Sequence, residues 1–302
     1  MSNYSESEFS EYGENTSWTK VYNIIPYKSK VLDIGCSSGN FGSVLIEKKD
    51  CIVDGIEIDE KDSLLAKKKL RKVYRLNIEN DNISDIKEKY DVIYFGDVIE
   101  HLVDPINTLI KIKSLLTSDG IVVFSIPNMA HSTIRLLMLK GDFEYTETGL
   151  LDKTHLHFYN LDEVQRVFQE AKFDIVKLDF VDKDYPDDLI ITELNKLGLK
   201  TTDNGKFLKS LHEPNAAAFQ FVGIAKINKN NKKGKKLKQF GPIDMFESFH
   251  TNTVKNLQDN IDQLNNRILE LESDANNWKK FKNKPIKTIL LKTKNKIKTK
   301  IK

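Results

Sequence analysis

The stretch VLDIGCSSGNFG, residues 31–42, runs from an apolar strand through a glycine-bearing turn into a helix. In doubly wound α/β folds, ligands bind beyond the carboxyl ends of the strands, beside such a turn. Gly35 and Gly39 let the backbone approach a ligand without a Cβ in the way, and Asp33 places a carboxylate at the strand end. The stretch therefore predicts a ligand site at the start of an α/β domain.

Short apolar runs alternate with helical patterns on either side of this stretch, which is typical of βαβ units and a parallel sheet. The predicted strands are residues 31–34, 51–57, 73–76, 91–95, 121–126, 173–180 and 218–227. The predicted helices are residues 41–48, 62–72, 83–89, 106–116 and 161–172. We expect one doubly wound α/β sheet that the last two strands extend.

The remainder of the chain differs in composition from this domain. Residues 229–240 hold six lysines and no acid, and residues 279–302 hold eleven lysines and no acid. Such polar, low-complexity segments cannot bury a core. The predicted organisation is a flexible segment at 1–16, a catalytic domain at 17–227, a basic linker at 228–252, a coiled-coil helix at 253–278 and a lysine-rich tail at 279–302.

A heptad pattern predicts the coiled coil. Valine or isoleucine alternates with leucine at spacings of three and four, which favours a parallel two-stranded coiled coil and a homodimer. The residues are Val254, Leu257, Ile261, Leu264, Ile268 and Leu271. An amphipathic helix packed on its own domain is the alternative that the pattern leaves open.

The lysine-rich tail interleaves basic and aliphatic residues. This arrangement suits a basic amphipathic stretch in peripheral contact with an anionic membrane, and a solvated tail is the alternative. Nucleic acid ranks last as a partner because the tail has few aromatic residues for base stacking. The polar, acidic N-terminus and the two cysteines, Cys36 and Cys51, predict a cytoplasmic protein, with the tail at the inner membrane face.

A second carboxylate follows the second predicted strand. Glu57 stands in the segment GIEID, 22 residues after Gly35, a spacing that suits an acceptor for ribose hydroxyls. A dinucleotide fingerprint would require glycines at 35, 37 and 40, but the chain has Ser37 and Asn40. The carboxylate of Asp33 also favours a cationic ligand with an amino group over a pyrophosphate.

Three segments together, VLDIGCSSGNFG at 31–42, GIEID at 55–59 and YDVIYFGDVIEHLVDP at 90–105, resemble the class I S-adenosylmethionine-dependent methyltransferases. The resemblance covers about residues 17–227. It implies a Rossmann-like fold with a mostly parallel, seven-stranded sheet, a reversed last hairpin, and S-adenosyl-L-methionine as cofactor across the ends of the first strands.

The resemblance also assigns cofactor-binding residues. It places Asp33, Gly35, Ser37, Gly39 and Asp97 at the methionine and sugar end, Glu57 at the ribose hydroxyls, and Ile58, Asn77 and Ile78 at the adenine. Two positions depart from the family pattern, because Ser37 replaces a common glycine and Asn77 replaces the usual acid. The ribose contacts are accordingly better supported than the adenine contacts.

Methyl transfer to a hydroxyl requires a group that takes the hydroxyl proton. Histidine suits this role near neutral pH, and the candidates are His101 after the fourth strand and His155 in the segment LLDKTHLHFYN. A structural role is the alternative for both. Glu100, His101 and residues 152–157 include metal-ligand types, but no metal site is assigned from the sequence.

Residues 127–164, with their D-[KR]-T-H string, resemble the acceptor region of methyltransferases found with polysaccharide-building enzymes. This likeness implies a saccharide or glycan-precursor substrate, with His155 as base, Asp152 orienting it, and His131 and Tyr145 as weaker pocket candidates. The alternatives are O-methylation of a small aromatic or quinone precursor, and a non-catalytic cofactor-binding scaffold in a polysaccharide assembly complex.

Overall fold

The computed structural model describes residues 15–183, 186–200 and 206–229. The strands are β1 Lys30–Ile34, β2 Ile52–Glu57, β3 Lys72–Arg75, β4 Tyr90–Gly96, β5 Leu116–Pro127, β6 Phe173–Asp182 and β7 Ala218–Ile227. The α-helices are α1 Ser17–Ile24, α2 Asn40–Lys49, α3 Glu60–Ala66, α4 Pro105–Ile112, α5 Ser132–Lys140, α6 Leu161–Glu170, α7 Asp187–Lys196, α8 Lys206–Leu211 and α9 Pro214–Ala217. The predicted coiled coil and lysine-rich tail lie outside the described residues.

The strands form one sheet in the order β3-β2-β1-β4-β5-β7-β6. β1 pairs in parallel with both β2 and β4, whereas β7 is antiparallel to its neighbours β5 and β6. The predicted Rossmann-like, mostly parallel, seven-stranded sheet with a reversed last hairpin is therefore confirmed.

The central strands are mainly apolar because both faces of the sheet are covered. Leu32 and Ile34 of β1 pack into the core on one face, while Val31 packs into the core on the other. Asp54 of β2 is a buried acid in this region. Arg71 neutralises its charge, and Asp54 accepts a hydrogen bond from the Tyr90 hydroxyl at 2.7 Å. The sheet is thus a rigid support for the loops at its carboxyl edge.

Side-chain caps fix the helices that follow the strands. Asp59 accepts from Asp62 N at the start of α3, and Asp104 accepts from Asn107 N at the start of α4. Such caps satisfy backbone N–H groups that have no partner within the helix. No helix in the described part of the chain has the length and apolar character to cross a bilayer.

The helix predicted at residues 83–89 is wrong. This segment is an irregular link, with a single turn closed by Ile86 N donating to Ile83 O at 3.0 Å. Ser84 N instead donates to the side chain of Asn82, and local bonds of this kind compete with helix formation. Ile83 and Ile86 are still buried in the core, so the apolar spacing reflects burial of a link.

Candidate active site

Three acidic side chains lie at the carboxyl ends of three adjacent strands. Asp33 is near the end of β1, Glu57 is the last residue of β2, and Asp97 directly follows β4. Because β1 lies between β2 and β4, the three residues share one edge of the sheet. Asp33 and Glu57 are buried, at 4% and 8% exposure. This acidic edge is the candidate active site.

The turn after β1 is held in left-handed backbone conformations. Gly35, Ser37 and Gly39 have φ angles of 69°, 46° and 78°. Glycine adopts this region freely, whereas other residues are strained there. Ser37 is held in place by two hydrogen bonds, one from its Oγ to Asp62 Oδ2 at 3.0 Å and one from its N–H to Glu57 Oε2 at 2.8 Å.

Glu57 ties this turn to the loop after β2. Its Oε2 accepts from Ser37 N and its Oε1 accepts from Asp59 N, both at 2.8 Å. Each carboxylate oxygen has a further lone pair, which is the acceptor that ribose hydroxyls need. The next residue, Ile58, is 61% exposed, so its side chain is open to a ligand.

Asp33 is a buried carboxyl to which no described residue donates a side-chain or backbone hydrogen bond. Burial, together with the neighbouring Glu57 carboxylate, raises the pKa of Asp33 to about 8. A buried polar group without a partner costs free energy. A positively charged donor next to Asp33 would remove that cost, and this residue therefore points to a cationic ligand.

Asp97 is held by hydrogen bonds from strands β5 and β7. Its Oδ1 accepts from Ser125 Oγ of β5 at 3.0 Å and from Gln220 Nε2 of β7 at 2.5 Å. Burial raises the pKa of Asp97, and these two hydrogen bonds oppose that shift. Gln220 follows Asp97 by 123 positions, and no motif in the sequence indicates the contact.

Two of the three residues assigned to the adenine, Asn77 and Ile78, have structural contacts of their own. Asn77 Oδ1 accepts from Glu79 N and Asn80 N at 2.8 and 3.2 Å, which closes a local turn. Ile78 is 6% exposed and packs in the core. Both residues lie just beyond β3, next to the strand that carries Glu57, and their adenine role stays a prediction.

His101 and His155 come together around Glu100. The short turn Ile99–His101 follows β4, and Glu100 O accepts from Leu156 N and His157 N at 2.9 and 3.1 Å. The two imidazole rings are 4.8 Å apart between centroids. His155 Nε2 lies 4.0 Å from Glu100 Oε1. Residues far apart in the sequence thus form one cluster beyond β4.

This cluster favours uncharged side chains. Burial, and then the Asp97 carboxylate, raise the pKa of Glu100 well above its ordinary value. Burial, and then His101, lower the pKa of His155. The histidine side chain is only 6% exposed, so both shifts have the same main cause.

Asp152 contacts the cluster through Thr154. Its Oδ1 accepts from Thr154 N at 2.8 Å and from Thr154 Oγ1 at 2.6 Å. The carbonyl and hydroxyl oxygens of Thr154 are each 3.1 Å from His101 Nδ1. The chain of contacts from Asp152 therefore leads to His101, and the orienting role of Asp152 toward His155 stays a prediction.

The weaker pocket candidates lie in different environments. His131 is 1% exposed, and its Nε2 is 2.8 Å from Lys183 O while its Nδ1 accepts from Thr133 N at the start of α5. Tyr145 is 58% exposed and packs edge-to-face on Phe143. His131 is thus a structural residue, and Tyr145 belongs to an exposed aromatic surface.

The site fits S-adenosylmethionine, which carries a sulfonium and an amino group. Asp33 lacks a hydrogen-bond donor and requires one, and Glu57 has lone pairs left for ribose hydroxyls. Gly35 N donates to Ile56 O at 2.8 Å, which keeps the backbone of the turn close to the end of β2. A cationic ligand also balances the three acids electrostatically.

Replacing Gly35 by alanine is expected to destabilise the protein by about 2–5 kcal/mol, as measured by urea unfolding. The added Cβ would lie 2.8 Å from Val98 Cγ2 at a φ of 69°. Overpacking accounts for about 1–3 kcal/mol of this cost and the left-handed backbone for the rest.

Gly141 is the matched control for this substitution. Its φ of 77° is similar, but no described atom lies within 4 Å of the position that an added Cβ would take. We expect Gly141→Ala to show the backbone cost alone, and Val98→Ala to relieve part of the Gly35→Ala loss. Equal losses at Gly35 and Gly141 would contradict the packing of Val98 against the turn.

Asp33→Asn is expected to stabilise the fold while abolishing cofactor binding. The Asp33 carboxyl stays protonated up to about pH 8 in the folded chain, but it ionises near pH 4 when unfolded. Its contribution to stability is therefore complete below about pH 4 and declines as the pH rises to about 8. We expect the variant to gain about 1–3 kcal/mol over the parent at pH 8.5 and less at pH 5.

Urea unfolding at both pH values measures this difference. Asp85→Asn, at an exposed position, is the control and should leave both stability and cofactor binding unchanged. A variant of Asp33 that bound S-adenosylhomocysteine as tightly as the parent would remove Asp33 from the site.

A family model described as "Methyltransferase domain" matches residues 12–178, more than half of the chain. The match spans β1 to β4, the acidic edge and the Glu100 cluster. It ends within β6, before Gln220.

Curated proteins and solved structures are also similar to the chain. The "Ubiquinone biosynthesis O-methyltransferase" of Haemophilus ducreyi is 24% identical over 126 residues, covering 39% of this chain and 53% of that protein. The "Trans-aconitate 2-methyltransferase" of Deinococcus radiodurans is 26% identical over 126 residues, covering 41% and 48%. The chain thus spans about half the length of these curated relatives.

A solved S-adenosylmethionine-dependent methyltransferase from Thermotoga maritima, described as a possible histamine N-methyltransferase, has a TM-score of 0.49. It is 16% identical, and the match covers 73% of this chain and 96% of that one. The strand order, the acidic edge and the family model agree. The chain therefore belongs to the methyltransferase domain family.

Proposed function

We propose that the chain transfers the methyl group of S-adenosylmethionine to a hydroxyl oxygen of a small aromatic acceptor. The observation that carries this proposal is the cluster of Glu100, His101 and His155 directly beyond Asp97, at the edge that fits the cofactor. These are groups that accept or polarise a hydroxyl proton. The cluster lies beside the acidic edge, and an acceptor bound at the cluster would therefore meet the methyl group of the cofactor.

The residues of the chain have separate tasks in this proposal. Asp33 pairs with the positive charge of the cofactor, Glu57 accepts from its ribose hydroxyls, and the turn at Gly35 keeps the backbone close. When bound, the cofactor would supply an electrophilic methyl carbon for the acceptor oxygen, with S-adenosylhomocysteine as the leaving group. The cluster of Glu100, His101 and His155 would promote loss of the hydroxyl proton to solvent. His155 and Glu100 are both buried, which keeps the two side chains out of bulk solvent.

An exposed aromatic surface supports an aromatic acceptor. Phe143 packs edge-to-face on Tyr145 and on Phe158, with ring centroids 5.4 and 6.4 Å apart. Leu156, next to His155, is 56% exposed. Contiguous exposed apolar groups mark binding sites, and offset or edge-to-face stacking would hold an aromatic ring here.

The names of the curated relatives favour a small-molecule acceptor over a saccharide. They refer to ubiquinone biosynthesis and to trans-aconitate, and they do not refer to glycans. The saccharide acceptor that the DKTH segment implied stays a prediction without support from these relatives. Homodimerisation and membrane contact also stay predictions, because they depend on residues outside the described part of the chain.

Acceptor profiling tests the proposal. The full chain is incubated with deuterated-methyl S-adenosylmethionine and with equal concentrations of catechols and hydroxybenzoates, saccharides, amines and trans-aconitate, followed by mass spectrometry. We expect the label as a methyl ether on an aromatic hydroxyl. Label on a saccharide, an amine or a carboxylate would overturn the acceptor class, and cofactor binding without any turnover would favour the scaffold alternative.

A further inference from the structure

Glu100 is a fully buried acid without a hydrogen-bond partner in the described residues. The residue is 0% exposed, and neither carboxylate oxygen receives a hydrogen bond from the described part of the chain. Buried polar side chains are almost always satisfied, and an exception requires an explanation such as a missing ion. The reacting edge nearby makes a functional explanation the natural one.

Two imidazoles face this carboxylate. His155 Nε2 is 4.0 Å from Glu100 Oε1, which is too far for a hydrogen bond. His101 adds a third donor atom, and the ligand atoms of the three residues all lie within 4.8 Å of one another. The three side chains therefore surround one point without bonding to each other.

The surroundings of His101 match those of a metal ligand. Its Nδ1 is 3.1 Å from Thr154 O, and an N–H that donates to this carbonyl leaves the lone pair on Nε2. The Thr154 hydroxyl in turn donates to Asp152 Oδ1 at 2.6 Å. Metal-binding histidines characteristically donate their other N–H to such a partner, which fixes the ring and the tautomer.

We propose that Glu100, His101 and His155 bind a divalent transition-metal ion, which rests on the proposed function because the ion would lie beside the acceptor hydroxyl. Two imidazoles and one carboxylate are the ligands that zinc, iron(II) and related ions use when a position stays open for water or substrate. Asp97 Oδ1 already accepts from Ser125 and Gln220, and Asp97 is not among the three residues whose ligand atoms come together.

Metal binding would require the three side chains to move closer together. Bonds of about 2.0–2.2 Å to zinc place its ligand atoms about 3.3 Å apart, so donor atoms that are now 4.0 to 4.8 Å apart would move together by about 0.7–1.5 Å on binding. The ion would act as a Lewis acid on the acceptor oxygen and ease loss of its proton to solvent. The bonds made and broken in methyl transfer would be the same as those in the proposed function.

Metal titration of the full chain tests this proposal. The protein is stripped with EDTA, dialysed free of chelator, and titrated separately with Zn²⁺, Co²⁺, Mn²⁺ and anaerobic Fe²⁺. Binding is measured by calorimetry, by thermal shift and by the visible absorption of Co²⁺. We expect one equivalent to bind to the parent, with the affinity falling at least about 100-fold in Glu100→Gln and in His101→Ala.

The variants have controls that separate folding from ligation. His157→Ala removes a neighbouring histidine and should keep the affinity of the parent. S-adenosylhomocysteine binding, measured on every variant, reports an intact fold. Failure of all four ions to bind at millimolar concentration, or equal affinity in the parent and both ligand variants, would overturn the metal site.

The same samples separate this proposal from the proposed function. Methyl transfer to an aromatic hydroxyl that EDTA does not reduce, in a protein that binds none of the ions, would overturn the metal site and leave the proposed function intact. Binding of one ion, without methyl transfer to any hydroxylated acceptor, would overturn the proposed function and leave the metal site intact.

Discussion

Glu57→Ala is expected to weaken S-adenosylmethionine binding by at least about 100-fold. The Glu57 carboxylate orders the cofactor turn by accepting from Ser37 N and Asp59 N, and its remaining lone pairs face the proposed ribose hydroxyls. Hydrogen bonds to a charged group contribute about 1.5–3 kcal/mol each. Loss of two such bonds costs at least about 3 kcal/mol, or about 100-fold in affinity.

Equilibrium dialysis with labelled cofactor measures this loss. Glu47→Ala changes an exposed glutamate of α2 and should bind like the parent. Glu57→Gln separates charge from shape, because it keeps an acceptor oxygen but loses the second carboxylate oxygen, and it should fall between the two. If Glu57→Ala bound as tightly as Glu47→Ala, the ribose assignment would be wrong.

His155→Ala is expected to lower kcat by about 10²- to 10⁴-fold, the range typical for loss of a group that promotes release of the acceptor's hydroxyl proton in the transition state. The His155 side chain is 6% exposed and faces Glu100. Because the position is buried, a group from solvent does not readily replace the lost imidazole. Cofactor affinity should be unchanged, because the residues proposed to hold the cofactor lie on other segments.

His157 provides the matched control for this experiment. It is two positions further along, and its Nε2 lies 3.4 Å from Val103 O rather than at Glu100. Initial rates with saturating cofactor and the acceptor found by profiling should show a large loss for His155→Ala alone. Equal losses in both variants would indicate a general structural effect of the 154–157 segment.

The places of Asp33, Glu57 and the turn at residues 33–39 in the fold could be predicted from the sequence, for physical reasons. β1 and β2 are buried on both faces, so they appear as apolar runs, and the acids at their ends stand out against that background. Residues 33–39 and Glu57 belong to short segments in which local spacing determines position. The seven-stranded topology followed from the same alternation and from the family resemblance.

Other parts of the site depend on three-dimensional contacts that the spacing of residues in the sequence does not reveal. Gln220 reaches Asp97 from β7 because the antiparallel pairing of β5 and β7 sets Gln220 opposite Pro127. Asp152 bonds to Thr154, two residues away, because aspartate readily closes a turn on its own backbone. The buried, unpartnered state of Glu100 is likewise visible only once residues 154–157 pack against the turn after β4.

Hydrogen exchange with and without S-adenosylhomocysteine shows whether the cofactor binds at the acidic edge, because it reports both binding and its location. We expect slower exchange in residues 33–40, 55–60 and 96–101, which hold the cofactor turn, Glu57 and Asp97. We expect little change in α7 and in the β6 end of the sheet. Unchanged exchange everywhere, or protection that leaves the ends of β1, β2 and β4 untouched, would contradict the placement of the cofactor at this edge.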